Sequence, residues 1–129
     1  MGSTILYIED NFENRLLVRR ILEAEGYRVV EAEDGPRGLA LAQSMRPDLI
    51  LVDLHLPDID GYELVRRFKQ MPHLQGVPIV ALTADVIRGT RERALATGCD
   101  GYIPKPIDVD ALPAQIASFL KTEEARHGP

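Results

Sequence analysis

The chain has 129 residues, 20 acidic side chains against 15 basic ones, a formal charge of −5, 45% apolar residues and one cysteine. At roughly 100–200 residues per domain this is a single domain, large enough to bury a core without staples. The composition excludes a disordered chain and a disulfide framework, and the acidic balance without an aromatic-interleaved basic run excludes direct nucleic-acid binding.

Strand-length apolar runs alternate with segments of helical period. Thr4 to Ile8 reads as a first strand, and Glu9 and Asp10 interrupt it before any signal-peptide core forms. Phe12 to Glu25 follows as a helix with Leu17, Ile21 and Ala24 on one stripe and Val18 and Leu22 beside it, stopped by Gly26. Arg28 to Ala32 is a second strand. Gly35 to Met45 is a second helix, with the cap-like Asp34 before it and Pro36 in its first turn. Asp48 to Val52 is a third strand, and Tyr62 to Met71 a helix with Leu64, Phe68 and Met71 on one stripe. Val77 to Leu82 is the fourth strand, Gly101 to Ile103 a short fifth, and Val109 to Lys121 the last helix, carrying Leu112, Ile116, Phe119 and Leu120. The expected domain is 1–121, with 122–129 a short disordered tail.

The fourth helix, Val86 to Ala96, is different. It carries Arg88, Arg91 and Arg93, holds Gly89 and has only a thin stripe of Val86, Ala94 and Leu95. Such a helix is either surface filler or a mobile element drawn from the low-stability end of the fold. The longest apolar runs, such as 49–52 and 79–82, are too short to span a bilayer, so a soluble, cytoplasmic protein without a membrane partner is expected.

The first, third and fourth strands are nearly continuous in Ile, Leu and Val, as strands covered on both faces should be. Strands alternating with helices imply a parallel sheet with right-handed crossovers, whose ligands bind beyond the carboxyl ends of the strands. Those ends carry Glu9-Asp10, Asp53, Thr83-Ala84 and, after the fifth strand, Pro104-Lys105-Pro106. Taken singly each has a plain structural use. Glu9 or Asp10 caps the first helix, Asp53 closes a turn, Thr83 suits a strand and Lys105 is solvated.

Together they do not. If the three strands are neighbours, each pair of carboxylates about 5 Å apart repels by roughly 3 kcal/mol at an effective dielectric of about 20. Three pairs then rival the stability of a whole domain. A hard cation, an ammonium or a proton must offset this, and Mg²⁺ suits an all-oxygen cluster while leaving positions open for a phosphate. The chain has no Gly-x-Gly-x-x-Gly, Walker A, His-Glu-x-x-His or Gly-x-Ser-x-Gly motif, and no Cys/His cluster for zinc. Glu9-Asp10-Asn11 after the first strand would repel a flavin phosphate, and Asp53-Leu54-His55 lacks the second aspartate of an Asp-x-Asp phosphatase. What remains is an aspartate that itself accepts a phosphoryl group, a reaction that needs mostly positioning and charge stabilisation.

From residue 4 to about 121 the chain resembles the response-regulator receiver domains of two-component signalling. The matching pieces are Ile8-Glu9-Asp10-Asn11, Pro47 to Asp53, Leu56 to Gly61, Ala81-Leu82-Thr83-Ala84 and Tyr102 to Pro106. Five in order at these separations are specific. The Glu-Asp-Asn start, with Asn14-Arg15 after it, looks most like receivers of hybrid histidine kinases and stand-alone regulators. The resemblance implies a doubly wound, flavodoxin-like α/β fold, its five-stranded parallel sheet in the order 2-1-3-4-5 with helices on both faces. It implies that Asp53 is the phosphoacceptor, with Asp10 and Asp53 as direct Mg²⁺ ligands and the His55 backbone carbonyl as a third. Glu9 stands where aspartate is commoner and acts directly or through water. Thr83, Ala84 and Lys105 would bind the phosphoryl oxygens, Thr83 and Tyr102 would form the switch, and the Lys105–Pro106 peptide would be cis.

The implied donor is a histidine kinase or a histidine phosphotransfer protein. Phosphorylation adds about −1.5 to −2 charges at Asp53, which would draw Thr83 inward, shift the fourth helix and let Tyr102 fill the space. Partner binding is then expected on the fourth helix, fifth strand and fifth helix, with Arg88, Arg91 and Arg93 as contacts. His55 and Asp85 flank the site and are candidates for setting the phosphoryl lifetime. A conventional turnover enzyme is not expected. Two alternatives stay open: a receiver fragment of a hybrid histidine kinase, and a Mg²⁺-dependent phosphatase acting on external substrates.

Overall fold

A computed structural model describes residues 2–84 and 90–127, with the side chains of 90, 91 and 121–127 outside the description. Five strands, β1 (Thr4–Ile8), β2 (Arg28–Ala32), β3 (Leu49–Asp53), β4 (Ile79–Thr83) and β5 (Gly101–Pro104), form one sheet in the order β2-β1-β3-β4-β5. Every neighbouring pair is parallel. Alternation along the strands separates two cores. Ile5, Tyr7, Leu49, Leu51, Val80 and Leu82 face one side, where Val18 and Leu22 of α1 (Phe12–Ala24) and Leu112, Ile116 and Leu120 of α5 (Leu112–His127) cover them. Leu6, Ile8, Ile50, Val52, Ile79 and Ala81 face the other, beneath α2 (Gly35–Ser44), α3 (Gly61–Lys69) and α4 (Thr90–Thr97). Burial on both faces is why the three central strands read as unbroken apolar runs.

Several expectations need correction. The cap of α1 is neither Glu9 nor Asp10 but Asn11, whose side chain accepts from the Asn14 amide at 2.8 Å. The buried stripe of α1 centres on Val18 and Leu22, while Leu17 is 39% exposed and Ala24 faces solvent. Asp34 does cap α2, and Gly26 follows α1 with φ +90°. The third helix ends at Lys69 and a 3-10 turn at Pro72–Leu74, absent from the sequence reading, leads into β4. The last helix starts at Leu112, because Asp108 turns its carboxylate onto the amides of Asp110 and Ala111. It continues to His127. Of the arginine-rich fourth helix, Ala94 is buried and Leu95 exposed; Asp85, Val86, Arg88 and Gly89 lie outside the described residues.

One glycine decides how the site loop folds. A Cβ on Gly61 would stand 2.4 Å from Leu54 Cα and 2.7 Å from the Leu54 carbonyl oxygen, both backbone atoms immediately after β3. Gly61→Ala therefore has no flexible side chain to push aside. We expect a loss of about 1–3 kcal/mol by urea denaturation, the usual range for overpacking a tight contact.

Candidate functional site

Four strands deliver the expected residues to one rim. Glu9 follows β1, Asp53 ends β3, Thr83 ends β4 and Lys105 follows β5. Asp53 pairs in register with Leu82, so Thr83 lies one step further along the neighbouring strand. Among the described residues, Glu9, Asp53 and Thr83 are the buried polar or charged ones. Carboxylate oxygens of Glu9, Asp10 and Asp53 all lie within 4.8 Å of one another, with Asp10 on the solvent side.

Lys105 reaches across this trio. Its Nζ donates to Glu9 Oε1 at 2.6 Å and to Asp53 Oδ2 at 2.9 Å. The peptide that follows, Lys105–Pro106, is cis, as the resemblance implied. Asp53 Oδ1 accepts the His55 amide at 2.9 Å, which fixes the carboxylate from the other end. His55 itself faces solvent and bridges to Asp60 across the loop. Ala84 lies exposed beside Lys105 at the mouth. Tyr102, half-buried, packs against the core beneath α3 and α4 and is paired in register with Ala81, two residues before Thr83.

The two buried carboxylates divide their charge unequally. Burial pushes the Glu9 carboxyl up to about 7, helped by the neighbouring Asp53 and opposed by Lys105. Burial acts upward on Asp53 too, but hydrogen bonding with Glu9, the His55 amide and Lys105 outweighs it and holds Asp53 below the usual range. Lys105 is held above its ordinary value, since its two carboxylate partners outweigh its burial. Of the two, Glu9 thus has the higher proton affinity and Asp53 is the one held towards its ionised form.

A hard cation fits this donor set. The candidate ligand atoms are all oxygens, Asp10 lies open to water, and among the described residues no donor reaches Glu9 Oε2 although that atom is buried. An uncompensated buried carboxylate oxygen is costly unless something positive faces it.

The sequence reading missed three site residues. The Tyr7 hydroxyl and the Asn14 amide both donate to Glu9 Oε1 at 3.3 Å, and Arg15 Nη1 donates to the Glu9 carbonyl at 2.7 Å. A signal for Tyr7 was present, because residues two apart on a strand share a face. Asn14 and Arg15 depend on the angle at which α1 leaves the sheet. Arg93 sits 3.9 Å over the Tyr62 ring with Asp60 beside it at 3.8 Å.

Known proteins resemble this one throughout. The family described as "Response regulator receiver domain" matches residues 5–117. The polar-differentiation response regulator DivK of Brucella anthropi is 38% identical over 120 residues, covering 93% of this chain and 98% of that protein. Among solved structures, the receiver domain of a sensor histidine kinase from Pseudomonas aeruginosa, with a magnesium ion coordinated in its active-site cleft, superposes with a TM-score of 0.85. It is 35% identical, covering 94% of this chain and 99% of that one. The chemotaxis response regulator CheY4 of Vibrio cholerae gives a TM-score of 0.87 at 28% identity, covering 92% and 99%.

Proposed function

The chain belongs to the response-regulator receiver family of two-component signalling, and from that premise we propose that Asp53 is the residue that accepts the phosphoryl group. The observation that carries this is the Lys105 ammonium bridging Glu9 and Asp53 inside a carboxylate trio. One oxygen of Asp53 attacks phosphorus in line, forming a new P–O bond as the donor's bond to phosphorus breaks and the donor leaves with its electron pair. Lys105 and the Thr83 hydroxyl take the phosphoryl oxygens, with Ala84 at the mouth, and the His55 amide keeps the carboxylate aimed. Asp10, Asp53 and the His55 carbonyl would hold Mg²⁺, with Glu9 directly or through water. When bound, the ion neutralises charge on the transferring group. The reading is of self-phosphorylation and dephosphorylation in the cytoplasm, not of turnover on external substrates. Among the described residues no helix is long and apolar enough to cross a membrane.

Receivers of this family interact with histidine kinases or phosphotransfer proteins, and the surface around Lys105 suits such a donor. Phe12 is 66% exposed and Leu17 39%, two large apolar side chains of α1 left open to solvent. Leu17 and Asn14 line a shallow hollow of about 510 Å³ with Ala84, Lys105, Pro106 and Ile107. A helix of the donor laid over α1 would cover both apolar side chains while bringing its phosphohistidine to Lys105. Output would use α4, β5 and α5. Replacing Phe12 and Leu17 together by alanine should slow transfer from a phosphohistidine protein about tenfold or more, from lost burial of two apolar side chains. Uptake from a small phosphodonor, which needs no docking, is the control.

The test of the function is intact mass after exposure to a small phosphodonor. The chain should gain one phosphoryl group with Mg²⁺ present and very little after chelation. Equal gain in both conditions would remove the cation from the reading, and no gain in either would remove the function.

A further inference from the structure

Glutamate at position 9 brings one more rotatable bond than an aspartate would, and the structure spends two neighbours on restraining it. Oε1 takes three donors: Lys105 Nζ at 2.6 Å, the Tyr7 hydroxyl at 3.3 Å and Asn14 Nδ2 at 3.3 Å. Oε2 takes none and is buried. Tyr7 is itself fully buried, and its ring belongs to the core between the sheet and α1 and α5. Its hydroxyl is therefore carried by a body that cannot move, and Asn14 sits in the first turn of α1, locked by the Asn11 cap. Two donors on rigid elements hold Oε1, while Oε2 has no donor among the described residues in a carboxylate that clusters with those of Asp10 and Asp53.

We propose that Tyr7 and Asn14 are positioning residues that orient Glu9 so that Oε2 is presented to the divalent cation. The inference rests on the reading of this cluster as a Mg²⁺ site. Neither residue touches the ion or the phosphoryl group. They act by removing the rotamers in which Glu9 would turn Oε2 away, so that binding does not have to restrict them.

The test is Mg²⁺ affinity measured by titration calorimetry on the intact chain, with urea denaturation to verify folding. Tyr7→Phe keeps the buried ring and removes only the hydroxyl; Asn14→Ala removes the second donor. Each should weaken Mg²⁺ about tenfold, as loss of a ligand-orienting hydrogen bond does elsewhere. The readout that separates positioning from packing is the Glu9→Asp background. The Tyr7 hydroxyl is already 3.3 Å from Glu9 Oε1, and the shorter carboxylate is expected to fall short of it, so adding Tyr7→Phe there should change Mg²⁺ affinity less than twofold. An equal loss in both backgrounds would make Tyr7 merely structural and overturn the proposal, as would unchanged affinity in Tyr7→Phe alone. A native chain that binds no Mg²⁺ would instead overturn the underlying site reading, and the proposal with it.

Discussion

Asp53→Asn should abolish phosphoryl uptake from a small phosphodonor, leaving the intact mass unchanged under conditions where the native chain is expected to gain one phosphoryl group. An amide oxygen is a far poorer nucleophile than an ionised carboxylate, and no second carboxylate takes its place. Glu9 is the weaker acid of the pair, with its carboxyl pushed up to about 7 by burial. Asp10 lies on the solvent side of the cluster and does not share the Lys105 bridge. The substitution is nearly isosteric. The amide oxygen can still accept the His55 N–H, so the loop geometry survives and the variant should fold. Uptake by Asp53→Asn at the native rate would show that another residue is the acceptor.

The second large effect concerns the ammonium. Lys105→Met removes the cation between two buried carboxylates and should destabilise the metal-free protein by about 3 kcal/mol or more at mildly alkaline pH, the usual result of breaking a buried ion pair from one side. The loss should shrink as pH falls, because Glu9 can then take up a proton and end the repulsion. Added Mg²⁺ should restore much of the stability by supplying the missing positive charge, contributing about 2.7 kcal/mol at a hundredfold excess over its dissociation constant. Urea denaturation with and without Mg²⁺ reads all three. A Lys105→Met loss independent of both pH and Mg²⁺ would mean that the lysine acts only through packing.

The same carboxylates give the native chain a pH signature. Glu9 titrates higher in the folded state, about 7 against an ordinary 4.5, so between those values the folded chain binds more protons than the unfolded one. Stability without metal must then fall as pH rises through that window, with a slope of up to about 1.4 kcal/mol per pH unit. Asp53 has the opposite sign: its folded value is depressed, so its contribution is present above its ordinary value and lost in acid. Saturating Mg²⁺ should flatten the neutral slope, because the cation replaces the proton on Glu9.

Much of this was legible from spacing. The central strands were visible as runs of Ile, Leu and Val because both faces of β1, β3 and β4 are covered. The acidic and basic site residues were visible because a parallel sheet gathers strand ends on one rim. Helix boundaries failed where a polar side chain redirected the backbone locally. Asn11, rather than Glu9 or Asp10, caps α1, and Asp108 delayed α5 to Leu112. The stripe of α1 was displaced from Leu17 onto Val18 and Leu22. Periodicity defines which residues share a face but not the rotation of that face against the sheet.

The amino-acid sequence by itself determined the family of folds, the identity of the acidic cluster and the need for a positive charge to hold it. Those follow from residue type and order, which no packing detail can alter. Which carboxylate carries the proton, which oxygen of Glu9 is left without a donor and why Arg93 lies on Tyr62 were decided only in three dimensions. Each depends on distances of a few ångströms between groups far apart in the chain, where burial multiplies the strength of every charge.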